Sequence, residues 1–168
     1  MDVDDDRLVI RMAKPDDAAA IAAIYNWYIE NSSCTFEEQL LSGAEMGLRI
    51  AAADADMPWF VLEIDGVLRG YAYATIWKAR VAYNKSREVT VYLHKDVTGS
   101  GHGRRLYQRL IDELKNKPIH SLIAGIALPN AGSVALHERL GFEKVGQFTE
   151  VGYKFGKYVD VGYWQLHL

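Results

Sequence analysis

The chain has 168 residues, 49% of them hydrophobic and 24% charged, with a formal net charge of −3. That is the size and balance of one soluble domain with a sizeable core, and it leaves no basic face for nucleic acid and no apolar run long enough to span a bilayer. Cys34 is the single cysteine, which rules out an internal disulfide and suits a reducing, cytoplasmic compartment; its thiol reads as a small buried hydrophobe before it reads as a nucleophile.

Met1 to Asp6 is acidic, the opposite of a secretory leader, and residues 1–7 are expected to be a disordered tail. Leu8 to Met12 alternates and predicts a first strand. Lys14-Pro15-Asp16-Asp17 puts proline and acids where a helix start prefers them, and Ala19, Ile21, Ala22, Ile24, Tyr25 and Tyr28 carry an apolar stripe onward at helical spacing. Thr35-Phe36-Glu37-Glu38 has the arrangement of a capping box and predicts a second helical region running towards Ala52. Trp59 to Ile64 and Leu68 to Trp77 read as a hairpin turned at Asp65-Gly66, followed by a polar loop, Lys78 to Arg87, and a strand, Val89 to Leu93.

A helical pattern after residue 103 is stopped near Lys117-Pro118, where proline cannot continue it. Leu122 to Ala127, nearly all apolar, predicts a central strand buried on both faces. Ala131 to Arg139 reads as a short helix ended by Gly141. Two strands, about Lys144 to Val151 and Val159 to Leu168, close the chain around a turn at Phe155-Gly156-Lys157. A meander followed by strands alternating with helices predicts an α+β fold: one domain, residues 8–168, on a mixed sheet flanked by helices.

The most chemical segment is Val91-Tyr92-Leu93 followed by Gly99-Ser100-Gly101-His102-Gly103-Arg104-Arg105. A strand, a loop with three glycines and a helix start together make an anion site, because backbone N–H groups converge at the positive end of the helix. Glycine also lets the backbone approach a phosphate closely. A glycine loop alone is equally a plain turn, and its neighbours decide between the two readings.

Taken in order, these pieces resemble the GNAT N-acetyltransferase superfamily. The pyrophosphate loop of that family reads Arg/Gln-x-x-Gly-x-Gly/Ala, and Ser100-Gly101-His102-Gly103 supplies its second half. Leu128-Pro129-Asn130 through Ser133 to His137-Glu138-Arg139-Leu140-Gly141-Phe142 is similar to its second coenzyme A motif. Five blocks resemble one branch, the phosphinothricin and methionine sulfoximine N-acetyltransferases. They are Tyr28-Ile29-Glu30 through Phe36, Trp77-Lys78-Ala79-Arg80 with Tyr83, Glu88 through Tyr92, Leu128 through Phe142, and Gly152-Tyr153-Lys154 through Gln165. The chain departs from the family at Thr98, where relatives have Arg or Gln, and at Gly99, often basic in relatives; His102, Arg104 and Arg105 stand within reach of the same anion.

The resemblance implies acetyl-CoA as co-substrate, no metal, and direct attack of a free amine on the thioester carbonyl. It lays the pantetheine along Val91, Tyr92 and Leu93 and the phosphates on Gly99, Ser100, Gly101, His102, Gly103 and Arg104. Asn130 and Ser133 join the coenzyme site, Asn130 also being suited to cap the next helix. The resemblance makes Glu88 the base that takes the ammonium proton; read alone, it is an exposed strand-end glutamate. His137 stands where many relatives carry a tyrosine near the thioester sulfur. It is expected to serve the leaving thiolate, to bind the acceptor or to relay its proton, whereas a lone histidine on such a helix reads as structural. Backbone N–H groups around Tyr92 are the candidates to meet the charge on the carbonyl oxygen.

On the acceptor side, Arg80 is suited to fork a carboxylate and Lys78 to meet it or a sulfoximine or phosphinate oxygen, with Tyr83 between them and Glu88; the competing reading is a solvated basic loop. Phe36 and Tyr92 are walls for the acceptor side chain or simply core. The block Gly152 to Gln165 is similar to a segment that relatives use in dimer contacts, which implies a homodimer. Three functions follow: an N-acetyltransferase for phosphinothricin, methionine sulfoximine or methionine sulfone; an acetyltransferase of the same fold for another amine, such as an ordinary amino acid, a polyamine or a peptide; and a non-catalytic acyl-CoA sensing module.

Overall fold

The computed structural model describes residues 7–168, so the expected tail, apart from Arg7, lies outside the described residues. Arg7 itself is tied down: its guanidinium pairs with Asp65, whose backbone N–H donates to the Arg7 carbonyl at 3.0 Å. Along the chain come β1 (Leu8–Met12), α1 (Ala18–Asn31), α2 (Gly43–Ala51), β2 (Trp59–Ile64), β3 (Val67–Ile76), β4 (Ser86–Leu93), α3 (His102–Lys115), β5 (Ser121–Leu128), α4 (Ala131–Arg139), β6 (Glu143–Lys154) and β7 (Lys157–His167). They form the expected mixed sheet, of seven strands in the order β1-β2-β3-β4-β5-β7-β6. Every neighbouring pair is antiparallel except β4 with β5.

Alternation along the strands sends two sets of side chains to two faces. Phe60, Leu62, Ala72, Ala74 and Val89, joined by Leu122, Ala124 and Ile126, pack against the stripe Leu106, Tyr107, Leu110, Ile111 and Leu114 of α3. Val61 and Tyr71, one register step away, face Ile21, Ile24, Tyr25 and Ile29 of α1 and Met46 of α2. The β2–β3 turn is Asp65-Gly66, with φ of 53° and 74°, the positive pair that a two-residue hairpin turn requires.

Three expectations are corrected. The helix towards Ala52 does not begin at Thr35. Its capping box is Ser42 with Glu45, the Ser42 hydroxyl accepting from the Glu45 N–H at 3.1 Å. Thr35 is buried, its hydroxyl sharing a 2.7 Å hydrogen bond with Tyr25, so tertiary packing claims the side chain that the motif assigned to a cap. β5, expected to be buried on both faces, is buried on the α3 face only: Gly125 is exposed, and Ile123 and Ala127 are partly so. β4 also begins earlier than expected, at Ser86, which draws Ser86 and Arg87 out of the polar loop and carries Glu88 into the sheet.

Leu110 is fully buried under α3; Leu110→Ala is expected to lower stability by about 2–5 kcal/mol in urea unfolding, the range for a core leucine that leaves a partly collapsed cavity.

Candidate functional site

The site is a fork in the sheet. β4 and β5 pair at Ser86↔Ser121, Arg87↔Leu122 and Glu88↔Ile123, and the pairing ends there. Beyond Glu88 the facing edges of both strands are free. On its other side β4 is paired with β3 through Gly70↔Leu93, and the His94 N–H donates to the Arg69 carbonyl at 2.7 Å. By the alternation of an antiparallel ladder, the backbone groups of Thr90 and Tyr92 then point to β3, and those of Val91 and Leu93 point into the fork. The Tyr28 hydroxyl donates to the Leu93 carbonyl at 2.6 Å and closes the outer end of that edge. A cavity of about 1030 Å³ fills the fork.

At the mouth lies the glycine loop. Gly99 and Gly101 have φ of 78° and 84°, with open space where a Cβ would stand. The Thr98 hydroxyl donates to the Lys95 carbonyl at 3.2 Å and the Ser100 hydroxyl to the Val97 carbonyl at 2.9 Å, which fixes the loop from within. The first backbone bond of α3 runs from the Arg105 N–H to the Gly101 carbonyl, so the N–H groups of His102, Gly103 and Arg104 have no partner inside the helix. Among the described residues, His102 Nδ1 is the buried side-chain polar atom without a hydrogen-bond partner. Arg104 and Lys95 line the same opening.

α4 forms the opposite wall. Asn130 caps it, its side-chain oxygen accepting from the Ser133 N–H at 3.1 Å, and both residues line the cavity. His137 is buried, 2.7 Å from the Ser133 carbonyl through Nδ1 and 3.1 Å from the Tyr107 hydroxyl through Nε2. A carbonyl only accepts, so Nδ1 carries the proton and Nε2 accepts from Tyr107. Edge contacts with Tyr107 and Phe142, at 5.1 and 5.2 Å, complete its enclosure. Burial pushes the imidazole below its ordinary pKa, and the bond to Ser133 opposes that only in part.

Glu88 stands where the fork divides, opposite Thr75 and beside Ile123. It is half-buried, and desolvation holds its carboxyl above the usual range. Tyr92 packs with Tyr25, Tyr28 and Tyr71 at centroid distances of 5.3, 5.0 and 5.6 Å, and it lines the cavity as well. Thus Val91, Tyr92, Leu93, Gly99, Gly101, Gly103, Arg104, Asn130, Ser133 and His137 meet around one space. Ser100 and His102 belong to its loop, and Glu88 to its apex. The expected acceptor residues lie elsewhere: Lys78, Arg80 and Tyr83 are exposed outside the lining, Lys78 with its ammonium 5.5 Å over the Trp77 ring. Phe36 is partly exposed and lies against Gly152, where a Cβ would come within 2.2 Å of its ring.

Sequence reasoning missed Trp27, Tyr28 and Asn31 of α1, the Ser32–Ser33–Cys34 segment as cavity lining, and the Gly125–Ala127 edge. Tyr28 was legible as part of an apolar stripe and of a block resembling the family, but not as a cavity residue. The Ser32–Cys34 segment is fixed by a residue more than a hundred positions away: buried Lys154 donates to the Ser32 and Thr35 carbonyls, both at 2.8 Å. Cys34, expected to be a small buried hydrophobe, is instead only partly buried and lines the cavity, and desolvation raises its thiol pKa. Among the described residues no three His, Cys, Asp or Glu side chains converge to hold a metal ion, and no helix is long and apolar enough to cross a membrane.

Comparison with known proteins agrees with this geometry. Residues 10–162 match the family described as the acetyltransferase (GNAT) domain. The chain is 40% identical over 156 residues to a phosphinothricin N-acetyltransferase of Streptomyces viridochromogenes, covering 93% of this chain and 85% of that one. It is 35% identical over 165 residues to an L-methionine sulfoximine/L-methionine sulfone acetyltransferase of Salmonella typhimurium, covering 96% and 95%. The solved structure of yncA from Salmonella typhimurium, with its cofactor acetyl-CoA, superposes with a TM-score of 0.93 at 34% identity over 96% of this chain and 94% of that one.

The His137 geometry makes a direct prediction. Nitrogen-detected NMR is expected to show the Nδ1–H tautomer and a titration midpoint below about 6.5, the ordinary histidine value. Because its folded pKa lies below the unfolded one, the stability it governs is present above that value and is lost as pH falls below it. His137→Phe should flatten that acid slope in urea unfolding followed against pH.

Proposed function

The chain belongs to the GNAT acetyltransferase family, and from that premise we propose that it moves the acetyl group of acetyl-CoA to the α-amino group of a small amino-acid-like acceptor of the phosphinothricin, methionine sulfoximine or methionine sulfone type. The observation that carries the reading is the fork, whose unpaired Val91–Leu93 edge runs from a helix N-terminus to a desolvated carboxyl. An extended amide-bearing arm ending in phosphates fits that space: edge N–H and C=O groups match its amides, and the helix start with Arg104 and Lys95 at the opening matches its anionic end. The names of the relatives support the acceptor class.

Acetyl-CoA supplies the thioester to be attacked. The work of this chain is to hold, orient and deprotonate. Backbone N–H groups of the loop and of α3 hold the phosphates without the basic side chain that Thr98 replaces. The N–H groups of Val91 and Leu93 that face the fork, rather than that of Tyr92, are placed to meet the charge growing on the carbonyl oxygen. Glu88, kept weakly acidic by burial, takes the proton of the acceptor ammonium directly or through water. Both nitrogens of His137 are engaged by protein groups, so its part is to fix the Tyr107 hydroxyl and the wall of the cavity, not to give up a proton. Lys78 and Arg80, on the segment just before β4, meet the acceptor carboxylate, with Tyr83, Phe36 and Tyr92 as walls.

We further propose a cytoplasmic homodimer. β6 is an edge strand and exposes Val145, Phe148, Val151 and Tyr153, continued by Phe155 and Tyr158 at the turn. A long apolar edge of this kind calls for a cover, and a second copy supplies one. Sedimentation equilibrium is expected to give twice the chain mass, and Val151→Asp to return the monomer.

Thiol release from acetyl-CoA, measured against phosphinothricin, methionine sulfoximine, methionine sulfone, ordinary amino acids, polyamines and short peptides, tests the central reading. Turnover confined to the first three supports it; turnover spread over polyamines or peptides replaces the acceptor class. Glu88→Gln is expected to lower kcat roughly 100-fold with the acetyl-CoA KM unchanged. In the wild type, kcat/KM should rise with pH through an apparent value above the ordinary carboxylate range, since the basic form of Glu88 is the active one. Arg80→Ala should raise the acceptor KM and spare that of acetyl-CoA; equal effects on both would remove carboxylate capture.

A further inference from the structure

Tyr163 on β7 stands opposite Gly125 of β5, so both point to the same face of the sheet. Its ring lies down across the glycine: a Cβ on Gly125 would sit 3.3 Å from Tyr163 Cε1 and 3.8 Å from Cδ1 and Cζ. The missing side chain is what lets the ring lean over β5 towards the fork, and Gly125 itself lines the cavity. Trp77, just past the end of β3, meets the same ring edge to face at 5.7 Å and 70°, although β4 and β5 separate their two strands. Phe148 of β6 braces Tyr163 from behind at 5.8 Å and 85°.

The register shows what this pair spans. Thr75, Glu88 and Ile123 lie side by side across β3, β4 and β5. Trp77 is two residues beyond Thr75, and Tyr163 is level with Gly125, two residues beyond Ile123 in the opposite sense along the sheet. A line from Trp77 to Tyr163 therefore crosses the position of Glu88, on the face to which its side chain alternates. The ammonium of Lys78 lies 5.5 Å from the Trp77 ring centre.

We propose that the Trp77–Tyr163 pair is a further wall against which the acceptor side chain lies, and that Tyr163 is the residue that sets which side chains are accepted. An α-amino acid whose nitrogen is presented to Glu88 and whose carboxylate turns to Lys78 lays its side chain along these rings. Two aromatic faces favour an unbranched chain ending in a methyl group, and the leaning ring of Tyr163 limits bulk. The inference rests on the proposed transfer to a small amino acid and adds the side-chain selection within it.

The test is kcat/KM for methionine sulfone, alanine and phenylalanine in the wild type, Tyr163→Phe and Tyr163→Ala, with the KM of acetyl-CoA measured in each. Tyr163→Ala is expected to lose about 10-fold or more on methionine sulfone through the acceptor KM, as for an apolar contact removed from a specificity pocket. Alanine, which does not reach the ring, should change little, and phenylalanine should gain relative to the sulfone. Tyr163→Phe keeps the wall and should keep the wild-type preference. Should Tyr163→Ala not fold, Tyr163→Leu serves instead: it keeps an apolar side chain without the flat ring and should alter the sulfone-to-alanine ratio. A ratio among the three acceptors that is the same in all variants overturns this inference and leaves the acetyltransferase reading standing; a wild type that acetylates no small amino acid overturns both.

Discussion

Everything at the site depends on the single parallel pairing in an otherwise antiparallel sheet. Parallel neighbours need a crossover, here α3, and the connection returns β5 beside β4 for three residue pairs before the twist carries the strands apart. Had β4 and β5 stayed paired to their ends, the edge groups of Val91 and Leu93 would be spent on the ladder and no cavity would exist. Unpaired backbone groups are costly when buried without a partner. The fork keeps them usable by leaving them in an open cleft, with the outermost carbonyl already bonded to Tyr28.

The fold was largely legible because its elements carry strong local patterns. Helix α4 begins at the residue after a capping asparagine and ends before Gly141, which has φ of 91°. The β2–β3 hairpin announces itself in Asp65-Gly66. What failed were motifs with correct chemistry but a rival claim on the same side chain. Thr35 satisfies a capping pattern on paper, yet its hydroxyl bonds to Tyr25 and the cap falls to Ser42. The apolar run of β5 carries no sign that one of its faces opens on a cleft, since that follows from where β4 leaves it.

The site was legible where one segment supplies several of its groups. The glycine loop and the Asn130 to His137 helix each bring their residues together by local geometry alone. The residues Trp27 to Cys34 come from the other end of the chain and are placed by α1 packing and by Lys154, so no local pattern marks them. Lys78 and Arg80 were read from the resemblance, and the structure sets them on an exposed segment. Trp77 of that block was not taken as a site candidate, and its ring meets that of Tyr163 although two strands lie between theirs.

An unpaired strand edge is normally a hazard, since any extended chain that finds it can add itself to the sheet. This molecule carries such an edge along Val91 and Leu93, as long as the arm it is suited to hold. Recessed between α1 and α4, and with its last carbonyl taken by a tyrosine, it offers no length on which a neighbouring polypeptide could register. The same recess that makes the edge a binding site keeps it from being an aggregation seed, so the fit to a thin, flexible ligand and the protection of this edge come from one piece of geometry.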